Sequence, residues 1–291
     1  MSDRTAITWT DATWNPIRAR GELGRHFCLK ISDGCTNCYA SSFTRRLGGQ
    51  PYSDANSWSI AGAEEAVRRS DIYIDQQALA LPLKWKRPRR IFVGSMTDVC
   101  GEWVPDAWLD AILAIPLLAP QHTFQLLTKR PNRLLAWFNG DLDARHASLP
   151  PDLGEELEHA IDLIRCRVTV DWPLPNVWLG VTVESDAYAW RAKVLAEIPA
   201  SVRFVSAEPL LSALPSLDLA GIDWLIAGGE SGPQRRELHL AWLTDLVDRA
   251  HSAGVAVFTK QDSGLYPGRQ GRIPDPYWRH EFPGAREEVS A

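Results

Sequence analysis

The order of apolar and polar positions repeats along most of the chain. A short apolar run rich in β-branched residues is followed by a polar or charged tip, and then by a stretch whose apolar residues have helical spacing. Near-continuous apolar strands that alternate with helices are typical of a parallel sheet covered by helices. The pattern therefore predicts an α/β fold, a parallel (β/α) barrel or partial barrel. Seven runs predict its strands: 5–9, 91–95, 123–127, 177–181, 203–206, 224–227 and 255–258.

The stretches between these runs have the chemistry of helices. Residues 105–118 open with Pro-Asp, which suits a helix start, and residues 240–253 end before Gly254, which suits a helix stop. We also predict helices over 40–47 and 154–165. Residues 139–175 form a longer excursion, which we interpret as an insertion in a single domain over 1–264. Residues 265–291 are rich in Pro, Gly and Arg and are predicted to be an irregular tail.

Polar residues end every run, and in parallel barrels the site lies at the C-terminal ends of the strands. We therefore expect one mouth where these residues bind cofactor or substrate: Ser95, Asp98, Lys129, Glu184, Glu208, Gly228, Gly229, Glu230 and Lys260. The glycines permit close backbone approach to a ligand, and the carboxylates can pair with an amino group. Two alternatives stay open. Glu184 and Glu208 can form ion pairs with Lys129 or Arg203, and Gly228-Gly229-Glu230 can be a turn with a solvated carboxylate.

Three cysteines follow the first predicted strand, in the spacing C-x6-C-x2-C: Cys28, Cys35 and Cys38. Three thiolates can hold three irons of a four-iron, four-sulfur cluster and leave the fourth iron open, whereas electron-transfer clusters use four cysteines. An open iron indicates chemistry on a bound small molecule. The alternative is a structural zinc site, which normally takes four Cys or His ligands, with His26 as the fourth.

The other two cysteines are remote in the sequence. Cys100 follows the second strand tip, so it is a candidate catalytic residue that supplies a hydrogen atom, or a fourth ligand; the alternative is a small buried residue. We assign no role to Cys166. An odd number of cysteines, three of them crowded together, does not suit a disulfide framework.

Composition and charge limit the class of protein and its location in the cell. At 291 residues the chain has the length of one α/β barrel, and its net charge of −5 gives no global basic field. One local segment, residues 84–90, interleaves basic residues with Trp85, as nucleic-acid surfaces do; a solvated loop is the alternative. No apolar run approaches the roughly 18 residues of a membrane span, and the N-terminus lacks a signal-peptide core. We expect a cytoplasmic protein without membrane association.

The whole chain resembles a bacterial and phage family of radical S-adenosylmethionine-like proteins that carry a three-cysteine motif. The similar stretches are 7–16, 34–40, 124–131, 177–184, 206–211 and 226–232. The radical superfamily usually has the spacing C-x3-C-x2-C, whereas the first gap here is six residues. Asn37 stands where an aromatic residue often precedes the last cysteine, and Tyr39 follows that cysteine instead.

This resemblance implies a partial (β/α) barrel with Cys28, Cys35 and Cys38 around a [4Fe-4S] cluster. Its open iron binds the amine and carboxylate of S-adenosylmethionine, and one electron then gives a 5′-deoxyadenosyl radical that takes hydrogen from substrate. We therefore expect a radical S-adenosylmethionine enzyme, a lyase or a modifying transferase, that acts on a nucleobase or DNA lesion in repair or modification. Flavodoxin or ferredoxin is the expected reductant, and a companion protein is a further expected partner. The alternative is a non-enzymatic iron–sulfur or zinc protein with a structural or redox-sensing metal.

Overall fold

The computed structural model describes residues 5–20, 25–46, 48, 66–67, 69–140, 149–166 and 170–284. The strands in these residues are β1 (Ala12–Trp14), β2 (Ile17–Ala19), β3 (Ile72–Ile74), β4 (Arg90–Val93), β5 (Thr123–Thr128), β6 (Val177–Thr182), β7 (Val202–Ala207), β8 (Trp224–Gly228) and β9 (Ala256–Gln261). Seven of them form one parallel sheet in the order β1-β4-β5-β6-β7-β8-β9, while β2 and β3 form an antiparallel ribbon. The large sheet curls into a half-barrel, so the prediction of an α/β partial barrel is confirmed.

Helices follow most strands of the large sheet. They are α1 (Tyr39–Arg46), α2 (Gln76–Leu79), α3 (Asp106–Leu118), α4 (Pro131–Asn139), α5 (Glu155–Cys166), α6 (Trp190–Ala196) and α7 (Leu240–Ser252). The helices predicted over 40–47, 105–118, 154–165 and 240–253 correspond to α1, α3, α5 and α7. None of the described helices is long and apolar enough to cross a membrane.

Side chains of each strand alternate between two cores, as the period of a β-strand requires. Val205, Leu225 and Val257 belong to the large core that the helices cover. Their neighbours Phe204 and Trp224 point to the other face, into a small aromatic core inside the half-barrel. The half-barrel is therefore filled by large rings on its concave side and sealed by helices on its convex side.

The strand predicted over residues 5–9 is wrong. These residues form a turn, in which the Thr10 N–H donates to the Ile7 carbonyl at 3.4 Å. The first strand is β1, which pairs in parallel with β4. The apolar alternation in residues 5–9 arises because Trp9 is buried in the inner aromatic core. Its ring centroid lies 4.7 Å from that of Phe92.

The other six predicted strands are confirmed, and most extend further along the chain than their apolar runs. The predicted insertion contains α5, whose Leu157, Ile161 and Ile164 are buried in the large core. In the predicted tail, the segment around Arg279 runs beside β9, since its carbonyl accepts the Thr259 N–H at 2.7 Å. The same tail contains a short 3₁₀ turn, Asp275–Tyr277.

Candidate metal and cofactor site

A cavity of about 230 Å³ lies at the C-terminal ends of the parallel strands. All three motif cysteines line it, and so do most of the strand-end residues that the sequence pattern indicated: Ser95, Asp98, Lys129, Glu208, Gly229, Glu230 and Lys260. Glu184 stands directly behind Lys129, and Gly228 lies one residue before the lining Gly229. Residues from six strand ends and the cysteine loop thus meet at one place.

The loop that carries the cysteines is short and tightly turned. The Cys35 N–H donates to the Ser32 carbonyl at 2.9 Å, and the Cys38 N–H donates to the Cys35 carbonyl at 3.4 Å. Helix α1 begins immediately after Cys38. Gly34 is required by a close approach, because a Cβ there would lie 2.9 Å from Glu184 Oε1 and 3.0 Å from Lys129 Nζ. The turn therefore rests directly on the end of the half-barrel.

Lys129 connects this loop to the sheet. Its Nζ lies 3.5 Å from Cys35 Sγ, 2.8 Å from Ser32 Oγ and 2.9 Å from Glu184 Oε1. Burial alone would raise the pKa of the Cys35 thiol, but the Lys129 ammonium and hydrogen bonds from the loop hold that pKa below its ordinary value. The thiolate is the form that binds metals, so this arrangement prepares Cys35 as a ligand.

Glu184 is fully buried between two cations. Lys129 takes one carboxylate oxygen, and Arg191 Nη1 lies 3.0 Å from the other. Burial raises the pKa of Glu184, but the two cations hold it below its ordinary value. The ion-pair alternative with Lys129 is therefore realised for Glu184. Arg203 lies at the opposite end of β7, where its guanidinium donates to the Ile198 carbonyl at 2.8 Å.

Asp98 also supports the cysteine loop, through Arg130. Its Oδ1 accepts the Thr128 hydroxyl at 2.7 Å, and its Oδ2 lies 3.0 Å from Arg130 Nη1. Arg130 in turn donates to the Leu29 carbonyl, next to Cys28. Burial raises the pKa of Cys28 to about 12, while the charge of Arg130 opposes that shift. Burial also raises the pKa of the Cys38 thiol.

Glu230 fastens the far side of the loop. Arg236 makes two contacts to its carboxylate, with Nη2 2.7 Å from Oε1 and Nε 3.0 Å from Oε2, and Asn37 Nδ2 donates to Oε2 at 3.0 Å. Arg236 also donates to the Asp33 carbonyl within the cysteine turn. Asn37 thus ties the loop to the end of β8.

Glu208 and Lys260 face each other across the cavity, with Oε1 and Nζ 3.1 Å apart. The Glu208 side chain is only 10% exposed, so this ion pair is largely shielded from solvent. Lys260 lies within β9 rather than beyond its end. The glycines of the neighbouring tip approach their own chain closely, since a Cβ on Gly229 would lie 2.5 Å from the Ser263 nitrogen.

Ser95 is held from both sides. Asn15 Nδ2 donates to its hydroxyl at 2.9 Å, and the Tyr39 hydroxyl donates to its carbonyl at 2.7 Å. Cys100, the sequence candidate for a catalytic thiol, is buried in the large apolar core instead and does not line the cavity. The buried-residue alternative for Cys100 is the one that the structure realises. Burial also raises the pKa of its thiol.

Two further sequence candidates lie away from the cavity. His26 is buried with its Nε2 3.4 Å from Arg18 Nη1, and it does not line the cavity. The basic segment 84–90 leads into β4, whose first residue is Arg90, so it lies at the N-terminal end of the sheet, opposite the cysteines. Arg90, at the end of that segment, pairs with Asp11 at 3.1 Å. Neither feature shares the site with the three thiols.

The functional residues that sequence reasoning missed are mainly arginines. The sequence suggests only anion binding for Arg130, at the tip of β5, and gives no signal for Arg191 or Arg236. One lies in a helix, one in a loop and one at a strand tip, and no sequence motif surrounds any of them. Each arginine pairs with an acid that comes close to it only when the chain folds. Their shared signal is positive charge beside a strand end, which is too common in sequences to identify a site.

The chain matches one family model along most of its length. A family model described as protein of unknown function (DUF5131) matches residues 4–274. The chain belongs to this family. The DUF5131 match covers the cysteine loop, all strands of the half-barrel and the acids and cations around the cavity. Searches of curated proteins and of solved structures each found no match.

Proposed function

We propose that this DUF5131 protein is a radical S-adenosylmethionine enzyme. The observation that carries the proposal is the position of Cys28, Cys35 and Cys38, which line one cavity together with the polar ends of the parallel strands. In barrels of parallel strands that end is where chemistry takes place. Within the described residues, no group of three or more His, Cys, Asp or Glu side chains is arranged to hold a metal ion. The proposal rests instead on the chemistry of the donors and of their surroundings.

The chemistry of the donor set, three thiols and no fourth among the described residues that line the cavity, suits an iron–sulfur cluster with an open iron. The three thiols would hold it, and a cation stands beside two of them: Lys129 Nζ at 3.5 Å from Cys35 Sγ, and Arg130 near Cys28. Positive charge favours the thiolate form that ligation requires. When bound, such a cluster would supply one electron that breaks the sulfonium C–S bond of S-adenosylmethionine, which leaves methionine and a 5′-deoxyadenosyl radical.

The other residues of the cavity can bind and position S-adenosylmethionine. Glu208 pairs with Lys260, and its carboxylate can also accept from the amino group of S-adenosylmethionine. Lys260, 3.1 Å away, can donate to a carboxylate. The inner aromatic core closes the floor of the cavity, since Trp9 and Phe92 both belong to its lining. These rings exclude water, which protects a reactive radical from side reactions.

Anaerobic reconstitution with iron and sulfide, followed by reduction and an assay for 5′-deoxyadenosine, tests the proposal. We expect product when S-adenosylmethionine is added to the wild type, and neither product nor full iron content in Cys35→Ala. Cys166→Ala is the matched control, because Cys166 is exposed on α5 and should keep both. Product that survives in Cys35→Ala, or a reconstituted cluster that never yields product, would refute the proposal. In the latter case a structural or redox metal is the better account.

A further inference from the structure

Exposed apolar side chains gather beside the mouth of the cavity. Of the described residues, six large apolar side chains are exposed, and four of these flank the mouth: Tyr39 at 52%, Phe43 at 48%, Leu265 at 52% and Tyr266 at 66%. Single exposed apolar residues need no explanation, but their concentration around one opening indicates a binding surface.

One flank is a stripe along α1. Tyr39 lines the cavity, and Phe43 and Arg46 follow at intervals of four and three residues, which places all three on one face of the helix. The opposite face, with Ala40 and Thr44, is buried. The Tyr39 hydroxyl donates to the Ser95 carbonyl, which fixes the ring at the edge of the cavity. The stripe therefore leads from the cavity outward through two rings to a guanidinium.

The second flank is the loop after β9. Leu265 and Tyr266 follow Gly264, which bridges to the cavity residue Ser231. Exposed arginines stand near both flanks: Arg45 and Arg46 on α1, Arg269 after Tyr266, and Arg235 close to Asn37. Glu237, an exposed acid on the loop after β8, is paired with Arg272. The flanks thus combine planar rings with guanidinium groups.

We propose that this mouth binds a single-stranded polynucleotide, whose bases stack on the exposed rings and whose phosphates pair with the arginines. Stacking rings beside basic side chains is how proteins bind single strands without reading their sequence. That the strand presents a base to the cavity rests on the proposed function. An acidic electron-donor protein would pair with the arginines but would leave the exposed rings without a role. The basic segment 84–90 lies at the wrong end to take part.

The test is fluorescence anisotropy with a labelled 20-nucleotide oligo-dT, using the full chain and no S-adenosylmethionine. Loss of one stacking ring should weaken binding by about tenfold or more, so we expect this for Phe43→Ala and for Tyr266→Ala. The affinity should fall as salt rises, and the double variant Arg45→Gln/Arg46→Gln should reduce the slope of log affinity against log salt by about 1.4.

Matched controls lie at the other end of the sheet. Leu83→Ala removes an exposed apolar side chain there, and Lys84→Gln/Arg87→Gln removes two exposed cations; both should bind like the wild type. Four results would overturn the inference. They are no binding by the wild type, losses in the controls equal to those in the ring variants, equal affinity for a duplex, and displacement of the oligonucleotide from the wild type by a flavodoxin. Production of 5′-deoxyadenosine is measured separately without oligonucleotide, so binding without product refutes only the proposed function.

Discussion

The Glu184 carboxylate is fully buried, and two cations neutralise its charge. Lys129 Nζ lies 2.9 Å from one oxygen, and Arg191 Nη1 lies 3.0 Å from the other. Lys129 also reaches Ser32 and Cys35 in the cysteine turn. The position of the turn therefore depends on a charge pair buried in the end of the half-barrel. Removing one partner of a buried pair leaves the others uncompensated, which is costly.

We predict that Glu184→Gln lowers the free energy of unfolding at neutral pH by about 3–5 kcal/mol. The cations lower the pKa of Glu184 below its ordinary value of 4.5, so its contribution is fully present above that pH and is lost as the pH falls through the folded value. Urea unfolding of both proteins between pH 7 and pH 3 measures this. The difference should shrink with acid, and a difference that is constant with pH would contradict the account.

Gly34 marks where the turn touches that pair. A Cβ at this position would meet Glu184 Oε1 at 2.9 Å and Lys129 Nζ at 3.0 Å, so either the turn or the ends of these two side chains must move. We predict that Gly34→Ala reduces the iron bound after reconstitution, because either shift disturbs the contact between Lys129 and Cys35. Gly284→Ala is the control, since nothing lies within 4 Å of its added carbon. Iron content equal in both variants would show that the contact does not position the ligand.

At the scale of elements, runs of β-branched residues predicted six strands of the sheet, and four helices were predicted, two of them from their end residues. Local pattern is sufficient there because each of these strands is buried on both faces. The first strand was misplaced, since Ile7 and Trp9 alternate with polar residues as a half-buried strand does. Nothing in residues 5–9 reveals that Trp9 packs into a core built by strands far along the chain.

The missed elements have a similar explanation. The ribbon of β2 and β3 joins residues 17–19 to residues 72–74, and such a long-range pairing of three-residue strands leaves little local pattern. Helix α4 begins with Pro131 directly after the tip of β5, which suits a helix start, but its nine residues give a short periodic signal. Short elements are thus fixed by tertiary packing more than by their own sequence.

A substitution of Trp9 tests whether tertiary packing fixes the N-terminal segment. Its ring lies 4.7 Å from Phe92 and 6.1 Å from Trp224 between centroids, and the residue is 2% exposed. We predict that Trp9→Ala lowers the free energy of unfolding by about 3–5 kcal/mol. Trp190→Ala, which removes a 42% exposed ring, should cost far less. Equal losses by urea unfolding would contradict a buried role for the N-terminal segment.

At the scale of the whole molecule, the sequence pattern predicted that the cysteines and the polar strand ends meet, but it did not predict the contacts that support them. The cysteines and most of the polar tips do line one cavity. Their partners Arg191 and Arg236 could not be predicted, because only the folded sheet brings them to Glu184 and Glu230. The basic segment 84–90 was attractive by composition, yet the direction of β4 carries it to the opposite end.

The central claim is that three thiols hold a cluster whose open iron faces this cavity. The most direct test is the electron paramagnetic resonance spectrum of the reconstituted, reduced protein, recorded with and without S-adenosylmethionine. The account predicts a cluster signal that changes when S-adenosylmethionine is added and that is absent from Cys35→Ala. A signal that S-adenosylmethionine leaves unchanged, or a protein that takes up zinc instead and loses it in His26→Ala, would contradict the claim.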